Sequence, residues 1–340
     1  MQTLGLPSLA YTYFAISFII SFVLCVGIIF LTKYFKIFMD SGTSHKPQRF
    51  HTRATPRAGG IGIFVAFCVM CAHLYDESAI IILGCGVIFA SGLIEDFSGQ
   101  LSPKVRLVMQ CIAAFGLCAL LDVMLRDLSI GVMLPYVIAL CFSTFALVGV
   151  SNAINIIDGF NGLASGVCML VLAGIVYVAY DVGDMQIYYC ALAILGAILG
   201  FFVCNFPFGR IFLGDGGAYF LGFILGFLLM CLTQRHSEAV SAFFGLSIMI
   251  YPIYEVVFSI WRRKRFGANA TKPDSLHLHT LIFRVLKRNA MTSSTLLMLY
   301  MPFVCFSIIF YANTGALMCE IAVFTLLYTL VYKQLKAKTH

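Results

Sequence analysis

The sequence predicts an all-α polytopic integral membrane protein with about eleven transmembrane helices, and three observations carry that expectation. Hydrophobic residues make up 61% of the chain and charged residues 11%, where soluble domains are about a quarter charged. The mean hydropathy is +0.96, and apolar runs near the roughly 20 residues that cross a hydrocarbon core follow one another with little between them. The basic residues are also segregated: of 22 Lys and Arg, only Arg126 and Arg235 fall on one side of the alternating map. Little is left over for a soluble domain, so residues 1–340 read as a single transmembrane domain.

Apolar run length and flanking turn signals place the spans at about 11–32, 58–75, 79–94, 104–122, 132–150, 163–181, 186–204, 217–234, 239–260, 292–311 and 314–332. The crowded basic side is expected to be cytoplasmic, which puts the N-terminus outside and the C-terminus inside. Cytoplasmic loops then fall at about 33–57, 95–104, 151–162, 205–217 and 261–291. The first span has no small-residue cleavage site and reads as a retained helix. The net charge of +7 is a topology signal and an attraction for anionic ligands and inner-leaflet lipids; it gives no support for nucleic-acid binding. The 13 cysteines sit in or beside apolar runs without paired or metal-like spacing, and are expected to behave as small buried hydrophobes.

The acids point to a site. Those of the outer turns read as solvated loop charges, whereas Glu95, Asp96, Asp158 and Asp215 sit where a cytoplasmic span end meets a short glycine-containing loop. A cation-rich face with a few acids at helix ends suits a polyphosphate with a divalent ion, since Mg²⁺ is held by one or two carboxylates plus substrate phosphates. In "GLIEDFSGQLSPKVRLVMQ" (92–110), Ser102 is a natural N-cap and Pro103 a natural first helical residue. Lys104 and Arg106 follow in the first turn, unfavourable for the helix dipole but useful if that end receives a phosphate; an acidic turn beside a snorkelling basic pair is the plainer alternative.

In "NAINIIDGFNGLASG" (152–166), Asn152, Asn155 and Asp158 share one face if the segment is helical. Asn161 offers both a donor and an acceptor. In "NFPFGRIFLGDGGAYF" (205–220), Asp215 stands among Gly214, Gly216 and Gly217 at the start of a span, a place for a metal–phosphate pair or a plain turn. In "WRRKRFGANATKPDSLHLHTLIFR" (261–284), most of Arg262–Arg265 read as surface anchors. His277 and His279 share a side only if the segment is extended; hydrogen bonding to phosphate or sugar suits them better than zinc. "HKPQRFHTRATPRAGG" adds Lys46, Arg49, His51, Arg53 and Arg57 to the same face.

"PRAGGIGIF", "EDFSGQLSPKVRLVMQ", "NAINIIDGFNGLASG", "NFPFGRIFLGDGG" and "HLHT", in this order from about residue 45 to 285, resemble the polyprenyl-phosphate N-acetylhexosamine-1-phosphate transferases of the glycosyltransferase 4 type. The peptidoglycan branch carries three consecutive histidines where this chain has His277-Leu278-His279, so the resemblance is to the branch using UDP-N-acetylhexosamines. It implies a multi-pass enzyme of the bacterial inner membrane, dependent on Mg²⁺, with substitution by Mn²⁺ left open. That enzyme moves a sugar 1-phosphate from a UDP-sugar, by default UDP-N-acetylglucosamine, to polyprenyl (undecaprenyl) phosphate, releasing UMP. The product would initiate a lipid-linked surface glycan such as O-antigen. A homodimer is open to such a chain.

Carried over residue by residue, the resemblance implies catalytic roles for Glu95, Asp96 and Asp158, and metal binding by Asp215 with Asp96 as base or metal partner. It implies substrate binding by Lys46, Lys104, Asn155, Asn161, Asn205, Arg263, His277 and His279. Two positions depart from the family: Glu95 stands for the first Asp of its pair and Asn161 for the Asp of "DGxDG". The alternative is a transporter or flippase of a lipid-linked or anionic solute. Transporters place polar groups near mid-membrane, and only Glu255, after Pro252 in the ninth span, fits that pattern; a paired structural carboxylate is the other reading of Glu255.

Overall fold

The computed structural model describes residues 6–35, 55–265 and 276–339. Among these the chain forms thirteen helices and no strand: α1 (Leu6–Phe35), α2 (Gly59–Leu74), α3 (Ser78–Ser98), α4 (Pro103–Leu121), α5 (Tyr136–Ile157), α6 (Leu163–Asp181), α7 (Met185–Asn205), α8 (Gly214–Arg235), α9 (Ala242–Ile248), α10 (Ile250–Arg265), α11 (Leu278–Leu286), α12 (Asn289–Ile309) and α13 (Thr314–Thr339). Nine are long and apolar enough to cross a membrane, and α9 with α10 makes a bent tenth. The 16-residue α2 stands where the second span was expected. All thirteen cysteines are free thiols.

The boundaries follow local chemistry. Ser102 caps α4, its hydroxyl accepting from the Val105 N–H, and Pro103 opens the helix. Asp184 caps α7 through the Ile187 N–H at 3.0 Å. Two expectations are corrected. The fifth span was expected at 132–150, but α5 starts at Tyr136 and runs on to Ile157. Residues before it fold into a tight loop closed by Gln234, whose Oε1 accepts from the Arg126 and Asp127 N–H groups and whose amide donates to the Asp127 carbonyl. At its other end the polar residues do not stop the helix, because Asn152 donates to Gln110 Oε1 and to the Val148 carbonyl, both at 2.8 Å.

The ninth span, expected at 239–260, is broken into α9 and α10, bent by 75°. Pro252 has no N–H to return to the Ile248 carbonyl, and its ring crowds that position. The Tyr300 hydroxyl donates to this carbonyl instead.

Helix α8 is the axis of the bundle, buried along nearly its whole length and packed against α2, α3, α5, α6 and α9. In a bilayer the hydrophobic effect does not draw helices together, so close backbone approach must. At Gly92 of α3 a Cβ would lie 2.4 Å from the Asp215 carbonyl carbon and 2.4 Å from the Gly216 nitrogen; only glycine lets the two helices meet there. Ser151 of α5 donates to the Tyr219 carbonyl of α8 at 2.8 Å.

Helix α4 has two unlike faces. Leu107, Val108, Ile112 and Phe115 are exposed, while Gln110, Ala113, Ala114, Leu117 and Cys118 are buried. The ends of α3, α5, α7 and α10 and the starts of α2, α4, α6, α8, α11 and α12 gather at one end of the bundle. The described basic residues other than Arg126 and Arg235 lie at that end.

Candidate active site

The start of α8 is the anchor. Its first N–H groups have no partner within the helix and carry partial positive charge. Asp96, near the end of α3, meets them: Oδ1 accepts from the Asp215 N–H and Oδ2 from the Gly216 N–H, each at 3.0 Å. This approach needs Gly214, whose φ is +80° and where a Cβ would lie 2.7 Å from both Asp96 Oδ2 and the Arg57 carbonyl oxygen. The start of α2 is laced to the same corner, with Gly59 and Gly60 donating to the Phe212 and Leu213 carbonyls at 2.9 Å.

The Asp215 side chain gathers two further elements. Its Oδ1 accepts from Asn155 Nδ2 of α5 at 3.1 Å, and its Oδ2 pairs with Arg106 Nη1 of α4 at 2.7 Å. The Arg106 guanidinium also lies over the Tyr219 ring, 5.9 Å from its centroid. The sequence reading offered Arg106, with Lys104, to a phosphate but did not foresee its pairing with Asp215. The signal for it was the misplaced sign: a cation in a helix's first turn opposes the dipole and wants an acidic partner.

Asp158 follows α5, one turn beyond Asn155, and is half-buried. Its carboxyl is held well above the ordinary carboxylate range, first by desolvation and then by the Asp215 and Asp96 carboxylates, with Arg57 opposing. Asp96, Asp158 and Asp215 therefore form one electrostatic cluster. Glu95 does not join it: its Oε2 accepts from the Leu101 N–H at 2.9 Å and closes the α3–α4 loop. Lys104 is exposed at the rim, in the first turn of α4.

The remaining predicted residues lie in the neighbouring loops. Asn205 is buried and joins two of them, Oδ1 accepting from Gly162 N–H and Nδ2 donating to the Ile211 carbonyl, both at 2.7 Å. Asn161 is also buried; its Nδ2 donates to the Pro207 carbonyl at 3.0 Å and its N–H to Asn289 Oδ1 at 2.8 Å. Neither amide stands open at the Asp215 cluster. His277 and His279 do share a side, though the segment is not extended: His277 is the extended cap of α11 and His279 is already helical. Their rings stack at 5.2 Å, and His279 packs edge-on to Phe160 at 5.6 Å, beside the "DGFNG" turn.

Arg263 is half-buried on α10. Arg262, expected with its neighbours at the surface, is buried, donating to the Leu276 carbonyl and, at 2.6 Å, to the Tyr332 hydroxyl. Lys46, with Arg49, His51 and Arg53, lies outside the described residues.

Among the described residues no group of three or more His, Cys, Asp and Glu forms a metal cage. A hard ion shared with phosphates needs only one or two carboxylates, and the donor set of Asp215 and Asp96 fits that demand.

Residues 78–233, which contain this carboxylate cluster, match the family described as Glycosyl transferase family 4. The segment that builds the site is therefore similar to that family. Among curated proteins the chain is 27% identical over 281 residues to a probable undecaprenyl-phosphate N-acetylglucosaminyl 1-phosphate transferase of Bacillus subtilis, covering 78% of this chain and 75% of the relative. It is 28% identical over 285 residues to an undecaprenyl-phosphate alpha-N-acetylglucosaminyl 1-phosphate transferase of Salmonella typhi (79% and 77% covered). The protein of that name from Escherichia coli K12 is 29% identical over 266 residues (73% and 71%).

Proposed function

We propose that the protein transfers an N-acetylhexosamine 1-phosphate, by default from UDP-N-acetylglucosamine, to undecaprenyl phosphate. An oxygen of the lipid phosphate attacks the β-phosphorus of the nucleotide sugar. The bond from that phosphorus to the bridging oxygen breaks, UMP leaves, and a lipid diphosphate sugar remains. The observation that carries this reading is the convergence on Asp215 of Asp96, Asn155 and Arg106 from three other helices, within the family-matched segment. The excess of Lys and Arg at this end supports its placement on the cytoplasmic face of a bacterial inner membrane, where a soluble donor and a membrane-anchored acceptor meet.

Phosphoryl transfer is chiefly positioning and charge neutralisation. Arg106 and Lys104 receive phosphate charge at the start of α4, Arg106 from within and Lys104 from the rim. Asp158, whose carboxyl is raised by desolvation and then by Asp215 and Asp96, donates to a phosphoryl oxygen in its protonated form. Asn155 orients Asp215, and Asp96 fixes the start of α8. Asp215 and Asp96 are the residues that would hold Mg²⁺ or Mn²⁺, which when bound supplies neutralisation of the diphosphate. A lipid phosphate monoester has a second pKa of about 6, so its attacking oxygen is already deprotonated at neutral pH. No protein base is then required. The transporter reading loses its support, because Glu255 is fully engaged by protein donors. Lipid-dependent UMP release by purified protein tests the proposal, with Asp215→Ala alongside. Release with one UDP-sugar that is lost in the variant supports it; no release with any donor from folded protein sinks it.

A further inference from the structure

Glu255 lies in α10, buried within the bundle, and every bond it makes points toward the histidine motif or its support. Oε1 faces His277 Nδ1 at 2.9 Å and accepts from the Leu278 N–H at 3.2 Å. Oε2 accepts from the Tyr328 hydroxyl of α13 at 2.8 Å. Seven residues on, on the same side of α10, Arg262 donates to the Leu276 carbonyl and to Tyr332, one turn beyond Tyr328. Paired faces of α10 and α13 thus grip three consecutive residues, Leu276 to Leu278, immediately before α11. A carboxylate accepts only, so His277 Nδ1 carries the proton in this pair. That fixes the ring's tautomer and its angle, as acidic partners do for working imidazoles generally. The oriented ring stacks at 10° on His279, which in turn meets Phe160 of the "DGFNG" turn.

We propose that Glu255 is a positioning residue: from inside the membrane bundle it sets His277, and through the stack His279, for contact with the nucleotide-sugar donor. This rests on the transferase reading above. A role confined to holding the helices together would affect the folded amount of enzyme and both substrates alike. Positioning of the histidines affects the donor alone.

The experiment uses full-length protein in detergent with UDP-N-acetylglucosamine and undecaprenyl phosphate, comparing wild type with Glu255→Leu, Glu255→Gln, His277→Ala and the Glu255→Leu/His277→Ala double variant. Glu255→Leu is expected to raise the donor KM about 10-fold or more, the range typical for lost orienting partners, with the acceptor KM unchanged. Glu255→Gln keeps an oxygen for His277 and Leu278 and a group that can pair with Tyr328, so it should recover most of the loss. The double variant should be no worse than His277→Ala, because coupled residues are not additive. Equal changes in both KM values, or additive losses, overturn the proposal. Amide exchange over 276–286 is read in parallel and needs no activity. If wild type releases no UMP with any donor, the transferase reading fails by itself. Faster exchange in Glu255→Leu but not Glu255→Gln then still supports the grip on the motif, and unchanged exchange overturns it.

Discussion

Replacing Arg106 with Met keeps length and helix-forming character but removes the only charge paired with Asp215 among the described contacts. The pair is 2.7 Å long, with the side chains 16% and 30% exposed, between the surface and buried limits. Surface pairs contribute about 0–1 kcal/mol, while removing one partner of a buried pair costs about 3–5 kcal/mol. The expected loss is therefore about 2 kcal/mol, from a carboxylate left beside Asp96 and Asp158 with only the Asn155 amide. For a large domain that lowers the thermal midpoint by roughly 4–8 °C. The assay is thermal unfolding in detergent, first with EDTA and then with Mg²⁺. Ligand present at about 100 times its Kd adds about 2.7 kcal/mol, and with no guanidinium on Asp215 the variant should gain more from Mg²⁺ than wild type does. Equal midpoints in EDTA, or the same Mg²⁺ shift in both proteins, would refute the reasoning.

Gly92→Ala drives a Cβ into the α8 backbone, so it should destabilise by about 1–3 kcal/mol and reduce UMP release about 100-fold through misalignment of Asp96 and Asp215; the midpoint and kcat together check it. Asn205→Ala orphans the Gly162 N–H and the Ile211 carbonyl, at about 1–3 kcal/mol each, measurable as a lower midpoint. For Asp158 the native carboxyl keeps its proton above the pH at which the unfolded chain releases it. Its contribution to stability therefore falls as pH rises from the ordinary carboxylate range toward the raised native value. Asp158→Asn should flatten that decline while losing activity; midpoints across pH and UMP release decide it.

The helical architecture was legible because spans announce themselves by length, and the site's corner because acids beside glycines at span ends have few plain uses. Asp96, Asn155 and Asp215 were each visible, and the structure brings them together. Adjacency hid the difference between Glu95 and Asp96: neighbours on a helix point about 100° apart, so one reaches α8 while the other turns to its own loop. Asn161 and Asn205 were ambiguous for a deeper reason. A buried amide bonds ligands and backbone groups with the same atoms, and the backbone partners here lie in loops remote in sequence. Pro252 was visible in the ninth span, but not the Tyr300 hydroxyl that takes over the Ile248 carbonyl, a contact 52 residues away.

The two faces of α4 carry a consequence for how the enzyme would be measured. One face meets hydrocarbon through Leu107, Val108, Ile112 and Phe115, while Arg106 on the other reaches Asp215. The helix is a party wall between a two-dimensional solvent and a three-dimensional one. An acceptor tethered by its tail explores only the former, so its effective concentration is a surface density. At fixed total acceptor, adding inert lipid should slow the reaction in proportion to the dilution within the bilayer, whereas adding buffer should leave the acceptor's saturation unchanged.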